Sequence, residues 1–435
     1  MTWWMTLLLI FSALLGLFAT GLPIFACFLI LNVASVLYLM GSGGLGLFVN
    51  SMTETVTAEA LTAVPLYVLL GELLFRTGGV TVLFEAFDRL IGAIRGRLYV
   101  VAVSVSAVLG AISGSAVATS AILGRYIYPV MMQRGCDRRL AIGMVLGGAT
   151  LDAIIPPSIT AIVLATLANL SIADFLIAGV GPGFFLAFCF AAYAVLRAVI
   201  NPSLDSRGTD PSEAMSWPER LRVAMPLLPL GGIIFLVLGL VMFGIAQPTE
   251  AAAAGIVGSI LMSLLFRTFS WRMIYEGCFG AAKMTSAVLI IIASSKLFSQ
   301  VLAFTGASGG LIDFVAQAQL NRWVFYVVML TASFALCKFI DQIALMLIVV
   351  PVYAPLVMQL AFDPIWFWMM FLVTILFGGI TPPFGYTMFV FKAAAPDVPM
   401  GEIYRAVVPV LTVALLAVVV MTFFPAIVTW LPSRY

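Results

Sequence analysis

The chain has 435 residues, of which 63% are hydrophobic and 9% are charged, and its mean hydropathy is +1.16. Soluble domains carry about 25% charged residues, so the composition excludes a water-soluble globule and predicts an all-α polytopic membrane protein. The 21 Lys and Arg against 19 Asp and Glu give no nucleic-acid signature, and the lack of His excludes His-based triads, metal sites and proton relays.

Apolar segments fill the chain on both sides of one polar stretch. Residues 1–21 are apolar but lack the positive region of a cleavable signal peptide, so we expect them to form the first membrane span. Further apolar segments are predicted at 22–40, 58–75, 99–112, 116–132, 139–168, 174–200, 224–246, 249–267, 279–304, 324–338, 342–358, 364–394 and 404–430. The polar stretch, residues 201–222, is too short for a domain and is interpreted as a linker between two membrane halves.

The two halves carry a weak internal repeat with an offset of 226 residues. The double proline of IIPPSI and that of ITPPFG, at positions 156–157 and 382–383, are separated by this offset. The same offset pairs three further positions: Pro129 with Pro355, Asp137 with Asp363, and Ser115 with Asp341. Repeated halves are common in secondary transporters, so we interpret the pattern as a duplicated structural unit.

Charge placement predicts that the two units are inverted. Segments 99–112 and 116–132 are short for full spans, meet at a Gly/Ser-rich turn, and have outer flanks rich in Arg. By the positive-inside rule both flanks are cytoplasmic, which predicts a re-entrant hairpin. The matching second hairpin turns at 338–342, with only Arg322 before it and no Lys or Arg at 353–367, so it is predicted to be periplasmic. The result is about ten crossings, two hairpins and both termini outside.

Each hairpin is followed by a span with a double proline, at 147–160 and 377–387. Proline lacks the backbone N–H and clashes with the preceding turn, so both helices are predicted to break. Half-helix ends and freed carbonyls inside a membrane can coordinate a small cation. Hydroxyls crowd the same places, which favours Na⁺: Ser113, Ser115, Thr119, Thr150, Ser158, Thr381 and Thr387. The alternative is a pair of kinks used only for packing, but their shared relation to a hairpin favours the ion site.

Four charged residues lie near these elements: Arg125, Asp152, Lys338 and Asp341. Charges in membrane segments are costly and therefore few. Asp341 either ligates Na⁺ or caps a half-helix, and a local salt bridge with Lys338 is an equal alternative. Arg125 and Lys338 offer positive charge to an anionic substrate, although Arg125 is also interpreted as a structural partner of a carbonyl or an acid.

No phosphate-binding GxxxxGK[ST] motif is present, so ATP is not the energy source in this chain. Without His or paired catalytic carboxylates, an enzyme is not expected. Glu72 and Arg76, four residues apart, are predicted to form a structural ion pair.

Long motifs now point to a family. The segments LGAISGSAVATSAILG at 109–124, TLDAIIPPSI at 150–159, PTEAAAAG at 248–255 and GGITPPFGYTMFV at 378–390 resemble the large membrane subunit, DctM type, of tripartite ATP-independent periplasmic (TRAP) transporters. The resemblance covers nearly the whole chain in order. The wider ion-transporter superfamily, which includes sodium–dicarboxylate symporters, is similar in its paired hairpins and proline-broken helices.

The resemblance implies a Na⁺-driven, elevator-type transporter with an inverted repeat, two re-entrant helical hairpins and two proline-broken helices. The transport domain would comprise 77–187 and 306–405, and the scaffold 1–76, 188–305 and 406–435. The implied partners are a separate small four-helix membrane subunit and a periplasmic substrate-binding protein. Together they would import a small organic anion, such as a carboxylate, across the bacterial inner membrane. The alternative is a stand-alone Na⁺-coupled dicarboxylate-type symporter.

The resemblance also assigns candidate site residues. The expected substrate-binding residues are Ser113, Ser115, Arg125, Ser158, Lys338 and Thr387. The expected Na⁺ ligands are Ser113, Gly114, Ser115, Thr150, Asp152, Pro156, Asp341, Gly379, Thr381 and Pro382. Asp152 departs from the small residue that the family pattern leads us to expect, which predicts either a changed ion stoichiometry or a local pair with a basic group.

Overall fold

The computed structural model describes residues 3–77, 79–91, 94–113, 116–204, 225–318 and 320–434, and over these ranges it contains helices and no strands. The helices before the polar linker are α1 Trp3–Ala19, α2 Ile24–Met40, α3 Leu45–Thr57, α4 Ala63–Arg76, α5 Gly79–Leu90, α6 Arg97–Ser113, α7 Ala116–Ile122, α8 Tyr128–Gln133, α9 Arg138–Ala149, α10 Ile159–Leu167 and α11 Ile172–Ile200. Those after it are α12 Leu228–Met242, α13 Pro248–Leu265, α14 Trp271–Phe304, α15 Ala307–Gln317, α16 Arg322–Leu336, α17 Gln342–Gln359, α18 Pro364–Gly378, α19 Tyr386–Ala394, α20 Met400–Phe423 and α21 Ala426–Thr429. Most of the predicted linker, residues 205–222, lies outside the described ranges.

Length and hydropathy confirm the prediction of an all-α polytopic membrane protein. Within the described ranges, six segments are long and apolar enough to cross a bilayer: Phe25–Thr55, Ile172–Ile200, Pro248–Leu265, Trp271–Phe304, Gln342–Gln359 and Met400–Phe423. Shorter apolar helices include α1, α12, α16 and α18. Large apolar side chains also face outward, as Phe184 and Phe188 on α11 do. The count of ten crossings and the outside position of both termini stay predictions.

The predicted repeat appears as the same order of elements in two parts of the chain. Helices α6 and α16 are the first arms of two helical hairpins, and α7–α8 and α17 are the second arms. Helices α9 and α18 then precede an interruption, α10 and α19 follow it, and α11 and α20 close the two units. The arms of the first hairpin lie within two residues of the predicted 99–112 and 116–132, and those of the second lie within two residues of the predicted 324–338 and 342–358.

A shared helix cap supports the 226-residue offset. Asp137 Oδ1 accepts a hydrogen bond from the Leu140 N–H at 2.8 Å, at the start of α9. Asp363 Oδ1 accepts one from the Trp366 N–H at 2.8 Å, at the start of α18. Carboxylates at this position satisfy one of the unpaired N–H groups of the first turn. The two aligned acids therefore perform the same local function in both units.

The two units pack against each other reciprocally. Helix α7 of the first hairpin contacts α19 of the second unit, and α17 of the second hairpin contacts α10 of the first. Likewise α9 contacts α20, and α18 contacts α11. Contacts that exchange in this way are the pattern of a two-fold relation between the halves. They support the duplicated unit, while the inversion of one unit relative to the other and the re-entrant placement of the hairpins stay predictions.

Helix α14 is the longest described helix, with 34 residues that span about 51 Å at 1.5 Å per residue. It packs against α2, α3 and α4, and it also contacts α10 and α17 of the repeat units. The Arg76 guanidinium donates to Glu72 at 3.3 Å and to Glu276 of α14 at 2.6 Å. The predicted pair of Glu72 and Arg76 is therefore present, and it extends into a link between α4 and α14.

Three described helices were not predicted from hydropathy, namely α3, α5 and α15. Helix α3 contains Asn50, Ser51 and Glu54, which lower the apolar signal of a segment that the structure places beside α14. Helices α5 and α15 likewise carry charged residues. Such short amphipathic helices obtain their stability from tertiary packing, which a hydropathy scan does not register.

Asp88 of α5 closes the base of the first hairpin. Its carboxylate accepts from Arg97 at 2.6 Å and from Arg134 at 2.8 Å, and the Asp88 side chain is only 9% exposed. Arg97 begins α6 and Arg134 follows α8, so one acid joins the two outer ends of the hairpin. The acid also neutralises two cations that would otherwise repel each other.

We predict that Asp88→Asn lowers the stability of the protein. Removing one partner of a buried ion pair costs about 3–5 kcal/mol, because the remaining charges lose their counter-ion. The measurement is the apparent Tm of the purified protein in detergent. The control is Arg272→Gln, because the Arg272 side chain is 87% exposed in its ion pair with Glu276, and this variant should keep the wild-type Tm. Equal values of Tm for Asp88→Asn and wild type would contradict the structural function of Asp88.

Candidate ion and substrate site

The first break interrupts a buried helix. Helix α9 ends at Ala149, a 3₁₀ turn covers Thr150–Ala153, residues 154–158 are non-helical, and α10 begins at Ile159. The peptide bond between Pro156 and Pro157 is cis, and every residue from 150 to 158 is buried. Ser158 Oγ accepts from the Ala161 N–H at 3.1 Å and donates to the Ala153 carbonyl at 2.7 Å. The hydroxyl thus caps the second half-helix and links it to the 3₁₀ turn of the break.

The second break has the same plan. Helix α18 ends at Gly378, residues 379–385 are non-helical, and α19 begins at Tyr386. The bond between Pro382 and Pro383 is also cis. Thr387 Oγ1 donates to the Gly379 carbonyl at 2.6 Å, which closes the interruption from its far side. Both predicted helix breaks are therefore present at the double prolines.

Four hydroxyls at the breaks share one bonding pattern. Each donates its hydrogen to a main-chain carbonyl of its own break or of the turn before it: Thr150 to Gly147, Ser158 to Ala153, Thr381 to Phe377, and Thr387 to Gly379, all at 2.6–2.7 Å. A hydroxyl oxygen that donates in this way still carries lone pairs. These oxygens remain able to act as ligands for a cation.

The two breaks lie close to each other and are joined by the first hairpin. Helix α18 contacts the 3₁₀ turn of the first break. Ser120 Oγ of α7 donates to the Thr387 carbonyl at 3.2 Å, which links the first hairpin to the second break. The Tyr386 phenol lies within electrostatic range of both Asp341 and Asp152, one acid from each unit. Tyr386 was not predicted, although it stands in the GGITPPFGYT motif as the first residue of α19.

Asp152 is the most unusual side chain at the first break. It is 0% exposed, and neither carboxylate oxygen has a hydrogen-bond partner among the described residues. The Ala153 N–H lies near the carboxylate but outside hydrogen-bond geometry. A buried ionised carboxylate without a partner is very costly. The full coordinating capacity of the group is therefore available to a ligand that enters the break.

The remaining charged candidates occupy three different settings. Asp341 is exposed and caps α17, because its Oδ1 accepts from the Ile343 N–H at 2.9 Å. Lys338 Nζ lies 5.0 Å from the centre of the Phe334 ring, and within the described ranges it forms no salt bridge with Asp341. Arg125 stands in a π-helical turn of the first hairpin and is exposed, with Tyr126 as a neighbouring ring at 6.0 Å.

Three candidates at the tip of the first hairpin cannot be placed in the same detail. Ser113 is the last residue of α6, and its side chain lies outside the described part of the structure. Gly114 and Ser115 lie outside it entirely. The other candidates lie in or beside the two breaks: Thr150, Asp152, Pro156 and Ser158 in the first, Gly379, Thr381 and Pro382 in the second, and Thr387 in the first turn of α19.

The sequence profile of the family described as the tripartite ATP-independent periplasmic transporter, DctM component, matches residues 11–427. The chain belongs to this family. It is 30% identical over 383 residues to the C4-dicarboxylate TRAP transporter large permease protein of Pseudomonas aeruginosa, covering 87% of this chain and 88% of the relative. It is 29% identical over 384 residues to the ectoine/5-hydroxyectoine TRAP transporter large permease protein of Ruegeria pomeroyi, covering 88% of each.

A solved structure shares the fold. The crystal structure of the Alcanivorax borkumensis YdaH transporter, described as having an unusual topology, aligns with a TM-score of 0.62 and 16% sequence identity over 91% of this chain and 90% of that one. Family membership confirms the resemblance seen in the sequence motifs. The protein is therefore a multi-pass membrane component of a secondary transporter and not an enzyme.

We predict that Gly110→Ala disturbs the first break. Gly110 lies in α6, and an added Cβ would overlap the main chain of Asp152. Moving backbone to relieve such an overlap costs about 1–3 kcal/mol, so the apparent Tm should fall. The matched control is Gly231→Ala in α12, where an added Cβ meets nothing within 4 Å and Ala favours the helix. An unchanged Tm for Gly110→Ala would show that α6 does not rest on the break.

Proposed function

We propose that this chain is the membrane permease subunit of a Na⁺-driven, binding-protein-dependent transporter that imports a small organic anion by an elevator mechanism. One observation carries the proposal: two interrupted helices meet inside the protein, with four oriented hydroxyls and a buried carboxylate that has no hydrogen-bond partner among the described residues. Because the chain belongs to a transporter family, we infer that this arrangement serves transport.

The oxygen atoms at the breaks support Na⁺ as the coupling ion. One Na⁺ would be held beside Thr150, Asp152 and the Pro156 carbonyl, together with the tip residues Ser113, Gly114 and Ser115. A second would be held near Asp341 by Gly379, Thr381 and Pro382. Carbonyl, hydroxyl and carboxylate oxygens are the ligands that hard cations prefer. Na⁺ is here a transported species, so its binding has to be reversible, as expected of a site with few formal charges.

The contacts of α14 support the elevator mechanism. The proposed transport domain, residues 77–187 and 306–405, contains both hairpins and both breaks. The proposed scaffold, residues 1–76, 188–305 and 406–435, contains α14, which contacts α10 and α17 of the transport domain. A single long helix offers a continuous surface along which these shorter elements can slide. The transport domain would carry the substrate in contact with the hydroxyls of Ser158 and Thr387. The positive charges of Arg125 and Lys338 would attract the anion.

The partners and the location follow from the tripartite family. We propose a small four-helix membrane subunit, a periplasmic binding protein that delivers the anion, and the bacterial inner membrane as the site of action. The substrate class is a carboxylate or a similar anion, since one relative is named for C4-dicarboxylates. Another relative with nearly the same identity is named for ectoine, so overall similarity does not select the compound.

The assembly can be tested from the native membrane. The chain is tagged at its own locus, purified, and analysed by mass spectrometry for co-purifying proteins. We expect a stoichiometric small membrane protein. The complex is then reconstituted in liposomes with an inward Na⁺ gradient, with and without a periplasmic binding protein from the same organism. Uptake that requires both supports the proposal, whereas Na⁺-driven uptake by the purified chain alone would indicate a stand-alone symporter.

We predict that Asp152→Asn weakens the Na⁺ dependence of uptake. Asparagine keeps the shape of the side chain but removes the negative charge, so the Na⁺ concentration for half-maximal uptake should rise about tenfold, which corresponds to about 1.4 kcal/mol. The measurement is uptake into liposomes against external Na⁺ concentration. Asp313→Asn, at an exposed position of α15, is the control and should titrate like wild type. An unchanged Na⁺ titration for Asp152→Asn would exclude the carboxylate from the ion site.

A further inference from the structure

One charge in the membrane part of the chain has no place in the site described above. Lys296 lies in α14, about 12 Å before the end of the helix at Phe304 when counted at 1.5 Å per residue. Its neighbours in the sequence are small and polar, as in ASSKLFSQ. Ionisable residues inside membrane segments are rare and usually mark substrate or ion pathways. Lys296 therefore requires an explanation of its own.

Lys296 lines a polar cavity between α14 and the end of α10. The cavity has a volume of about 180 Å³, far more than the roughly 10–15 Å³ that admits one water molecule. Six polar side chains line it: Thr166, Asn169, Ser295, Lys296, Ser299 and Gln300. We call it the Lys296 cavity. Leu167 and Ile292 complete the lining, and the volume is large enough to hold water or a small polar group.

The ammonium group of Lys296 lacks a counter-ion. Its side chain is partly buried, and the described residues supply neither a carboxylate within ion-pair distance nor a hydrogen-bond acceptor. Lysine is almost never buried without a partner. The end of α10 attracts a cation, but a helix end carries only about half an elementary negative charge. A net positive charge therefore remains at the wall of the cavity.

Further donors face the same space. Ser51 donates to Gln300 Oε1 at 3.1 Å, so the carbonyl side of this amide is occupied and its N–H donors remain. Asn169 adds a second side-chain amide at the end of α10. An ammonium and two amides supply hydrogen bonds of the kind that a carboxylate accepts. The chemistry of the wall thus favours an anion over a cation or a neutral apolar ligand.

The position of the cavity relates it to transport. Thr166 belongs to α10, the second half of the first broken helix, and Asn169 lies in the turn that follows it, whereas Lys296 belongs to the long helix α14. Ser295 Oγ donates to the Leu347 carbonyl of α17 at 3.3 Å, so the second hairpin adjoins the same face of α14. The cavity therefore lies where the proposed scaffold meets elements of both repeat units.

We propose that the Lys296 cavity binds a carboxylate group of the transported anion, with Lys296 as its counter-ion. The inference rests on the proposed function in one respect, namely that the anion is the transported one. Because the two walls belong to the proposed scaffold and transport domain, sliding separates them and opens the site. The anion is held in the arrangement seen here and released from Lys296 when α10 moves.

The charge of the cavity can be measured with a cysteine reporter. Ser299→Cys is introduced into the full-length chain with Cys189 and Cys278, the two cysteines that are not buried, replaced by Ser. The protein is co-expressed with its membrane partner and labelled in membranes with an anionic and a cationic methanethiosulfonate of similar size. The ratio of the two labelling rates reports the local charge, because changes in thiol reactivity affect both reagents equally.

We expect the anionic reagent to be favoured, and Lys296→Gln to lower the rate ratio about tenfold. Lys283→Gln, at an exposed position of the same helix, is the matched control and should leave the ratio unchanged. Succinate is the probe of binding. It should slow labelling of the reporter protein that retains Lys296 but not of the one that carries Lys296→Gln. The proposal would be overturned if the ratio of the two labelling rates were the same with Lys296 and with Lys296→Gln, or if neither reagent labelled the cysteine.

Uptake measurements separate this inference from the proposed function. If the cavity binds substrate, Lys296→Gln reduces uptake at limiting substrate and Lys296→Arg restores part of it, while both variants elute as a single species. If the cavity inference is wrong, wild-type uptake remains and Lys296→Gln matches it. If the proposed function is wrong, wild type shows no Na⁺-driven uptake, although the labelling ratio still reports the anion preference of the cavity.

Discussion

A bilayer provides no water to satisfy backbone N–H and C=O groups, so helices that break inside a membrane protein depend on their surroundings. Four hydroxyls bond the carbonyls at the two breaks, and the hairpins and closing helices cover them. In the first hairpin, Gly110 packs against the main chain of Asp152 in the first break, and Ser120 donates a hydrogen bond to the Thr387 carbonyl beside the second break. The elements that stabilise the interruptions are therefore the same elements that enclose the candidate site.

Features with a local signal could be predicted from the sequence. The double prolines fixed the two breaks, and the common offset of Asp137 and Asp363 indicated a repeat that the helix caps support. Features that depend on distant packing could not be predicted. The proximity of Tyr386 to Asp152, and of Lys296 to Asn169, arises only when separate helices assemble. The placement of the ion and substrate ligands stays a prediction.

Two ionisable side chains, an acid and a base, lie near the two ends of one short half-helix. Helix α10 has nine residues and is about 13 Å long, with the break and Asp152 at its start and the Lys296 cavity at its end. In the proposed mechanism, a cation at one end and an anion at the other would be connected by a single rigid element. A displacement of α10 would then change the surroundings of both ligands together, which is a short physical route for coupling their binding.

Helix α14 has a consequence for the relation between the protein and its bilayer. Its length of about 51 Å exceeds a hydrocarbon core of about 30 Å by some 20 Å, so it tilts or projects beyond the core. The ion pair between Arg76 and Glu276 lies near the start of α14. A helix of this length spans thin and thick bilayers equally well. The shorter elements beside it do not, so changes in membrane thickness would act selectively on the part of the protein that is proposed to move.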